Sequence, residues 1–157
     1  MKFSTKEDIE APIVDTFALF SDFYQFERSA LRRGAEVRRT DSLKRHGTGM
    51  AWASAFKFRG KSCKIEAELI GYEPCDGYEV ELQSNDVTAY ATLELMSLSK
   101  SRTRASFAIE LKPKSLSGRL MVQTMRLGKS RLEKRFRKRA ADFAVMIERQ
   151  YKSTNSA

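Results

Sequence analysis

Two cysteines and one histidine supply the only thiols and imidazole in the chain. Cys63 and Cys75 stand twelve residues apart with no CxxC pair, and His46 stands alone. A structural zinc site takes four nitrogen or sulfur ligands, so these three cannot close one. No metal and no cofactor is expected. Met1-Lys2 leads straight into a polar stretch without a secretory pattern, so a cytoplasmic location and reduced thiols are expected. The cysteines then read as small core or turn residues. His46 lies in Lys44-Arg45-His46-Gly47-Thr48-Gly49. Its Gly-Thr-Gly is too short for a dinucleotide loop and reads as a turn.

The carboxylates pair as Glu66/Glu68 and Glu79/Glu81. Spacing of two puts each pair on one face of a strand. That face also carries Lys57, Lys64 and Arg104, so cross-strand ion pairs are expected rather than acid–base chemistry. On the opposite phase the middle strands offer only Ser54, Cys63, Tyr78 and Thr103 as polar groups. No catalytic residue is assigned.

Charge is unevenly placed. Residues 1–113 hold 17 basic and 17 acidic side chains, whereas residues 114–157 hold 12 basic and three acidic. The whole excess of +9 therefore sits on the last segment. Such asymmetry suits an acidic partner. The longest apolar run, Phe143 to Ile147, is far short of the roughly 20 residues that span a bilayer.

The elements that carry these residues follow from periodicity. Lys2 to Glu10 alternates as a strand. Ala11-Pro12 opens a helix with Val14, Phe17, Ala18 and Phe20 at helical spacing. Ser21 or Asp22 caps a second helix, Phe23 to Arg33, and Gly34 stops it. The middle of the chain then has period two. Met50, Trp52, Ser54, Phe56 and Phe58 share a phase with Cys63, Ile65, Ala67 and Leu69 across the tight Arg59-Gly60-Lys61 connection. Tyr78, Val80 and Leu82 continue it, as do Ala89, Ala91, Leu93 and Leu95, then Thr103, Ala105, Phe107, Ile109 and Leu111. This is an antiparallel meander with one dry face. After Pro113, apolar residues from Met121 and Met125 through Leu132, Phe136, Ala140, Phe143 and Ile147 to Tyr151 recur at steps of three and four. They predict one helix of roughly 30 residues. Gly128 weakens it locally and marks a close approach or a kink.

Pairing these elements predicts an α+β fold: a curved antiparallel sheet wrapped around the long C-terminal helix, with two short helices after the first strand. One domain over residues 1–152 is expected, with 153–157 as a short disordered tail. Small inward residues leave room for an apolar cavity. Its candidate lining is Trp52, Ser54, Phe56, Ala67, Tyr78, Ala91, Thr103, Phe107, Met121 and Met125.

Several segments resemble the START-like (SRPBCC) superfamily, which includes polyketide cyclase/dehydrase-like proteins and the birch-pollen-allergen fold. They are Ile9-Glu10-Ala11-Pro12 with Val14, Phe17 and Phe20-Ser21-Asp22; Phe26-Glu27-Arg28; Gly49-Met50-Ala51-Trp52; Phe58-Arg59-Gly60-Lys61; and Tyr72-Glu73-Pro74. Their order runs from about residue 2 to residue 152. The resemblance implies a helix-grip fold with a cavity between sheet and long helix. It implies no single activity.

The expected function is binding, transport or sensing of a hydrophobic small molecule such as a lipid, quinone or polyketide-like compound. The alternative is docking on a polyanion through Arg131, Lys134, Arg135, Lys138 and Arg139. An anionic membrane suits that face better than RNA, because Phe136, Phe143 and Tyr151 belong to the buried stripe and leave no stacking surface. A cyclase- or hydrolase-type enzyme using the cavity is a third reading.

Overall fold

The computed structural model describes residues 1–58 and 60–155. The chain runs β1 (Lys2–Ile9), α1 (Ile13–Phe20), α2 (Phe23–Arg32), β2 (Glu36–Arg39), β3 (Ala51–Phe58) and β4 (Lys61–Glu73). It continues through β5 (Gly77–Gln83), β6 (Val87–Ser99), β7 (Arg102–Pro113), α3 (Leu116–Leu127) and α4 (Lys129–Asn155). Arg59, in the expected tight connection, lies outside the described residues, as do the last two residues of the expected tail. α4 itself reaches Asn155.

All seven strands form one antiparallel sheet in the order β1-β7-β6-β5-β4-β3-β2. The register keeps the dry phase in line across it. Trp52 faces Ala67, which faces Leu82, and Leu82 faces Ala89. A bulge between Leu69 and Gly71 takes up one residue and brings Tyr72 opposite Tyr78. Strand β2 was not expected. It holds one apolar residue in four, Val37, which pairs with Ser54 at the sheet edge.

The first helices follow their local signals. Asp22 accepts from the Gln25 N–H at 3.3 Å and caps α2. Gly34, at φ +89°, ends it. In α1 the buried face is Thr16, Phe17 and Phe20, and Val14 is left exposed.

The expected single long helix is two helices. They meet at Gly128, which has non-helical φ and ψ, so the glycine is a break. The two faces do not share one stripe. α4 buries Ala140, Ala144 and Ile147, with Leu132, Phe136, Phe143 and Tyr151 half-buried beside them. α3 instead buries Gly118 and Val122. A Cβ on Gly118 would lie 2.0 Å from the Asp86 carbonyl oxygen, so α3 sits directly on the β5–β6 turn. Ser115 caps α3 at the Gly118 N–H and donates to Asp86 at 2.8 Å.

α4 packs along β1 and α1. There it closes a core of Ile9, Phe20, Ala105 and Ile147, each 0% exposed. A second cluster, Phe23, Met50 and Leu69, fills the space under α2.

Candidate functional site

The concave face is sealed on one side only. Trp52, Ser54, Phe56, Cys63, Ile65 and Ala67 on β3 and β4 share the inward phase, yet all remain half-buried. Val80, Leu82 and Ala91 on β5 and β6 are half-buried as well. The Ser54 hydroxyl makes no hydrogen bond among the described residues. It is a free polar group on an apolar wall.

Trp52 stands at the rim of this face. Its Nε1 donates to Glu27 Oε1 at 2.6 Å, and Phe23 packs edge-on at 5.5 Å between centroids. The Arg39 guanidinium lies over the indole, 5.5 Å from its centroid. Asp41 fixes that guanidinium, accepting from Nε at 2.7 Å and from Nη2 at 2.6 Å. Asp41 also accepts from the Ala51 and Leu43 N–H groups at 2.8 and 2.9 Å. The Arg39 fork, with those two amides, holds the Asp41 carboxyl well below the usual carboxylate range, against the opposing effect of burial. Sequence reasoning did not find this cluster. Arg39 lies on the unexpected β2, and Glu27 reaches Trp52 from α2 across 25 positions. The inward phase is therefore not free of charge. Arg39 stands opposite Trp52, and Glu7 stands opposite Ala105.

Other expected lining residues fall elsewhere. Thr103 is fully buried and donates to the Ala11 carbonyl at 2.8 Å. It lies on the inward phase, but its hydroxyl is spent tying β7 to the segment just before α1. Tyr78 is in the wall, but its hydroxyl donates to the Phe20 carbonyl at 2.6 Å, and burial raises its pKa. Phe107 packs on Phe20 at 5.7 Å and on Phe143 at 6.3 Å, within the closed core. Met121 is exposed and Met125 half-buried, because the seat of Gly118 sets the face of α3.

A groove of about 560 Å³ lies between α2 and α4. Phe26, Ala30, Phe143 and Met146 make its apolar floor, and Arg33 and Arg139 stand among its polar residues. His46 is exposed, with its ring 5.4 Å from Phe23 beside the Trp52 cluster.

On the convex face the carboxylates do not make the expected pairs. Arg104 binds Asp8 at 2.8 Å, and Glu81 accepts from Gln83 at 2.8 Å. Cys63 and Cys75 are free thiols, the latter in the β4–β5 turn at φ +67°. On α4, Arg131, Lys134, Arg135 and Arg139 are exposed and make no ion pair among the described residues. Lys138 binds Asp142 at 2.9 Å. Among the described residues, no helix is long and apolar enough to cross a membrane.

No protein-family model matches the sequence, and no curated protein does. Solved structures do. The chain is similar to norcoclaurine synthase from Thalictrum flavum, in complex with dopamine and hydroxybenzaldehyde, at TM-score 0.60 and 12% identity. That match covers 80% of this chain and 76% of the other. The Zhui aromatase/cyclase from Streptomyces sp. R1128 matches at TM-score 0.57 and 9% identity, over 73% and 69% of the two chains. A START superfamily protein from Mycobacterium smegmatis matches at 0.54 and 14%, over 87% and 97%. Likeness at such identities speaks to architecture, and the architecture is the START-like helix-grip fold.

Proposed function

We propose that this chain is a cytoplasmic carrier or sensor of a hydrophobic small molecule such as a lipid, quinone or polyketide-like compound. One observation carries the reading. Trp52, Phe56, Ile65, Ala67, Val80 and Leu82 on β3 to β5 keep part of their surface open, while Ile9, Leu93, Leu95 and Ala105 under α1 and α4 are buried. A ligand that covers the open half gains about 25 cal/mol for each Å² of apolar surface it buries, before ordering costs. The Ser54 hydroxyl and the Arg39–Glu27 rim are placed to orient one polar group. Solved structures of this fold include one with two small aromatic compounds bound, which supports a small-molecule partner. An enzyme would need acid–base groups converging on the ligand. The charged groups at the rim are already engaged with one another and with Trp52, which favours binding over catalysis.

The test uses Trp52, the only tryptophan. An environment-sensitive apolar dye is titrated while Trp52 emission is followed. Binding that perturbs Trp52 and is blocked by Ala67→Phe or Ala91→Phe is the expected result. Unchanged dye binding in both filled variants refutes the reading.

A second reading rests on the basic face of α4. Arg131, Lys134, Arg135 and Arg139, exposed and without an ion pair among the described residues, suit attachment to a polyanion. The half-burial of Phe136, Phe143 and Tyr151 removes the aromatic platform that single-stranded RNA would use.

A further inference from the structure

α3 carries an apolar face that none of the described residues covers. Leu116, Leu120 and Leu127 are 74%, 57% and 90% exposed. At about 100° per residue they fall within about 40° of one line along the helix. Gly118 and Val122, which seat α3 on the protein, lie on the opposite side. The leucines therefore point away from the sheet. A single exposed leucine needs no explanation, but three aligned on one short helix form a surface.

The charge around that surface selects its partner. Residues 111–132 contain six basic side chains, Lys112, Lys114, Arg119, Arg126, Lys129 and Arg131, and no acidic one. Lys112 and Lys129 are shared with Glu110 and Glu133 at 3.4 and 3.9 Å, and Lys114 donates to Gln83. Arg119 and Arg126 are exposed, make no ion pair among the described residues, and flank the leucines along one shoulder. An apolar strip with a cationic shoulder matches the boundary between acyl chains and anionic headgroups. A second copy of this chain would bring like charges together, which disfavours that occupant.

We propose that α3 is an interfacial helix that lies on an anionic lipid bilayer, with Leu116, Leu120 and Leu127 in the acyl boundary and Arg119 and Arg126 at the headgroups. The assignment goes beyond the basic face of α4, because its apolar contacts come from a different helix. Because α3 sits on the β5–β6 turn, docking brings the end of the sheet bearing Leu82, Ala89 and Leu111 toward the lipid.

The test is co-sedimentation with vesicles of phosphatidylcholine, with and without phosphatidylglycerol, across a salt series. The full chain is expected to bind only the anionic vesicles, more weakly as salt rises. Leu120→Ser with Leu127→Ser should weaken binding by at least about tenfold. Both positions are exposed, so thermal unfolding and dye binding should stay as in the parent, which separates this result from failure of the cavity reading. In a Trp52→Phe/Leu127→Trp variant, emission should shift to the blue on anionic vesicles. Three outcomes overturn the proposal: unchanged sedimentation of the double serine variant, equal binding to neutral vesicles, or a concentration-dependent dimer that the serine substitutions abolish. Charge reversal at Arg135 that abolishes attachment while the leucine variant binds normally would move the contact to α4 and overturn it too.

Discussion

The two halves of the concave face obey one sequence rule and end differently. Under α1 and α4, inward strand residues such as Ile9, Leu93 and Ala105 are buried, packed against Ile147 of α4. On β3 and β4 the same alternation gives Trp52, Ser54, Ile65 and Ala67, which stay half-open. The difference lies in what covers each half. α4 is pinned over β1: Glu148 accepts from the Glu10 N–H at 2.7 Å, and Lys152 reaches both carboxylates. Phe20 adds a plug, with Phe143 and Phe107 edge-on at 5.0 and 5.7 Å. Over β3 and β4, α2 contributes Phe23 and the Glu27 contact to Trp52, and nothing comparable follows along the strands. Period two therefore tells which side chains face inward. Whether they meet a lid depends on where a helix is anchored.

Truncation at matched sites puts the largest strain on this contrast. Ile147→Ala should cost about 2–5 kcal/mol, because it empties a fully packed position. Ile65→Ala should cost less than about 1 kcal/mol, because a half-open side chain loses less transfer energy and leaves no closed cavity. Denaturant unfolding of both variants reads the difference. Equal losses would mean that the open half is packed as tightly as the closed one.

The same contrast explains what was legible in the sequence. Strand phase and the α4 stripe from Leu132 to Tyr151 were readable because they repeat over many residues. The break at Gly128 was visible as a weak point, but the face of α3 was not. That face is set by one close approach, Gly118 on the Asp86 carbonyl, which leaves no periodic trace. Extending the α4 stripe backward put Met121 inside, whereas it is exposed. Of the candidate site, the half-open residues Trp52, Ser54, Phe56, Ala67 and Ala91 could be read from phase. Thr103 and Tyr78 share that phase, but their hydroxyls are taken by the Ala11 and Phe20 carbonyls. The Glu27–Trp52–Arg39–Asp41 cluster joins three separate segments, α2, the end of β2 and β3, and no local pattern predicts it.

A middle-sized effect is expected at Asp41, which anchors the rim of the open half. Its folded pKa is lowered, so its contribution is complete above the unfolded value near 4 and is lost as pH falls through the folded one. Asp41→Asn should destabilise the protein by about 1–3 kcal/mol at neutral pH, since an amide cannot satisfy both backbone N–H groups and the Arg39 fork. The gap between parent and variant should narrow as pH drops below about 4. Thermal melts from pH 7 to pH 3 check both points, and a gap that does not narrow would show that charge at Asp41 is not what holds the rim.

The smallest stability change is expected at Glu27, and it tests the open half most directly. The Trp52 indole donates to Glu27 at 2.6 Å, but Trp52 is only half-buried. In Glu27→Ala, water can take over the indole N–H, so no buried donor is orphaned. The loss should stay under about 1 kcal/mol. The spectroscopic change should be clear: the indole exchanges a carboxylate for solvent, and its emission and collisional quenching should both report greater water contact. The pairing of small energetic and large spectroscopic effects is what an open rim requires. A rim sealed like the Phe20 core would give the reverse, with a stability loss approaching that of Ile147→Ala and emission nearly unmoved.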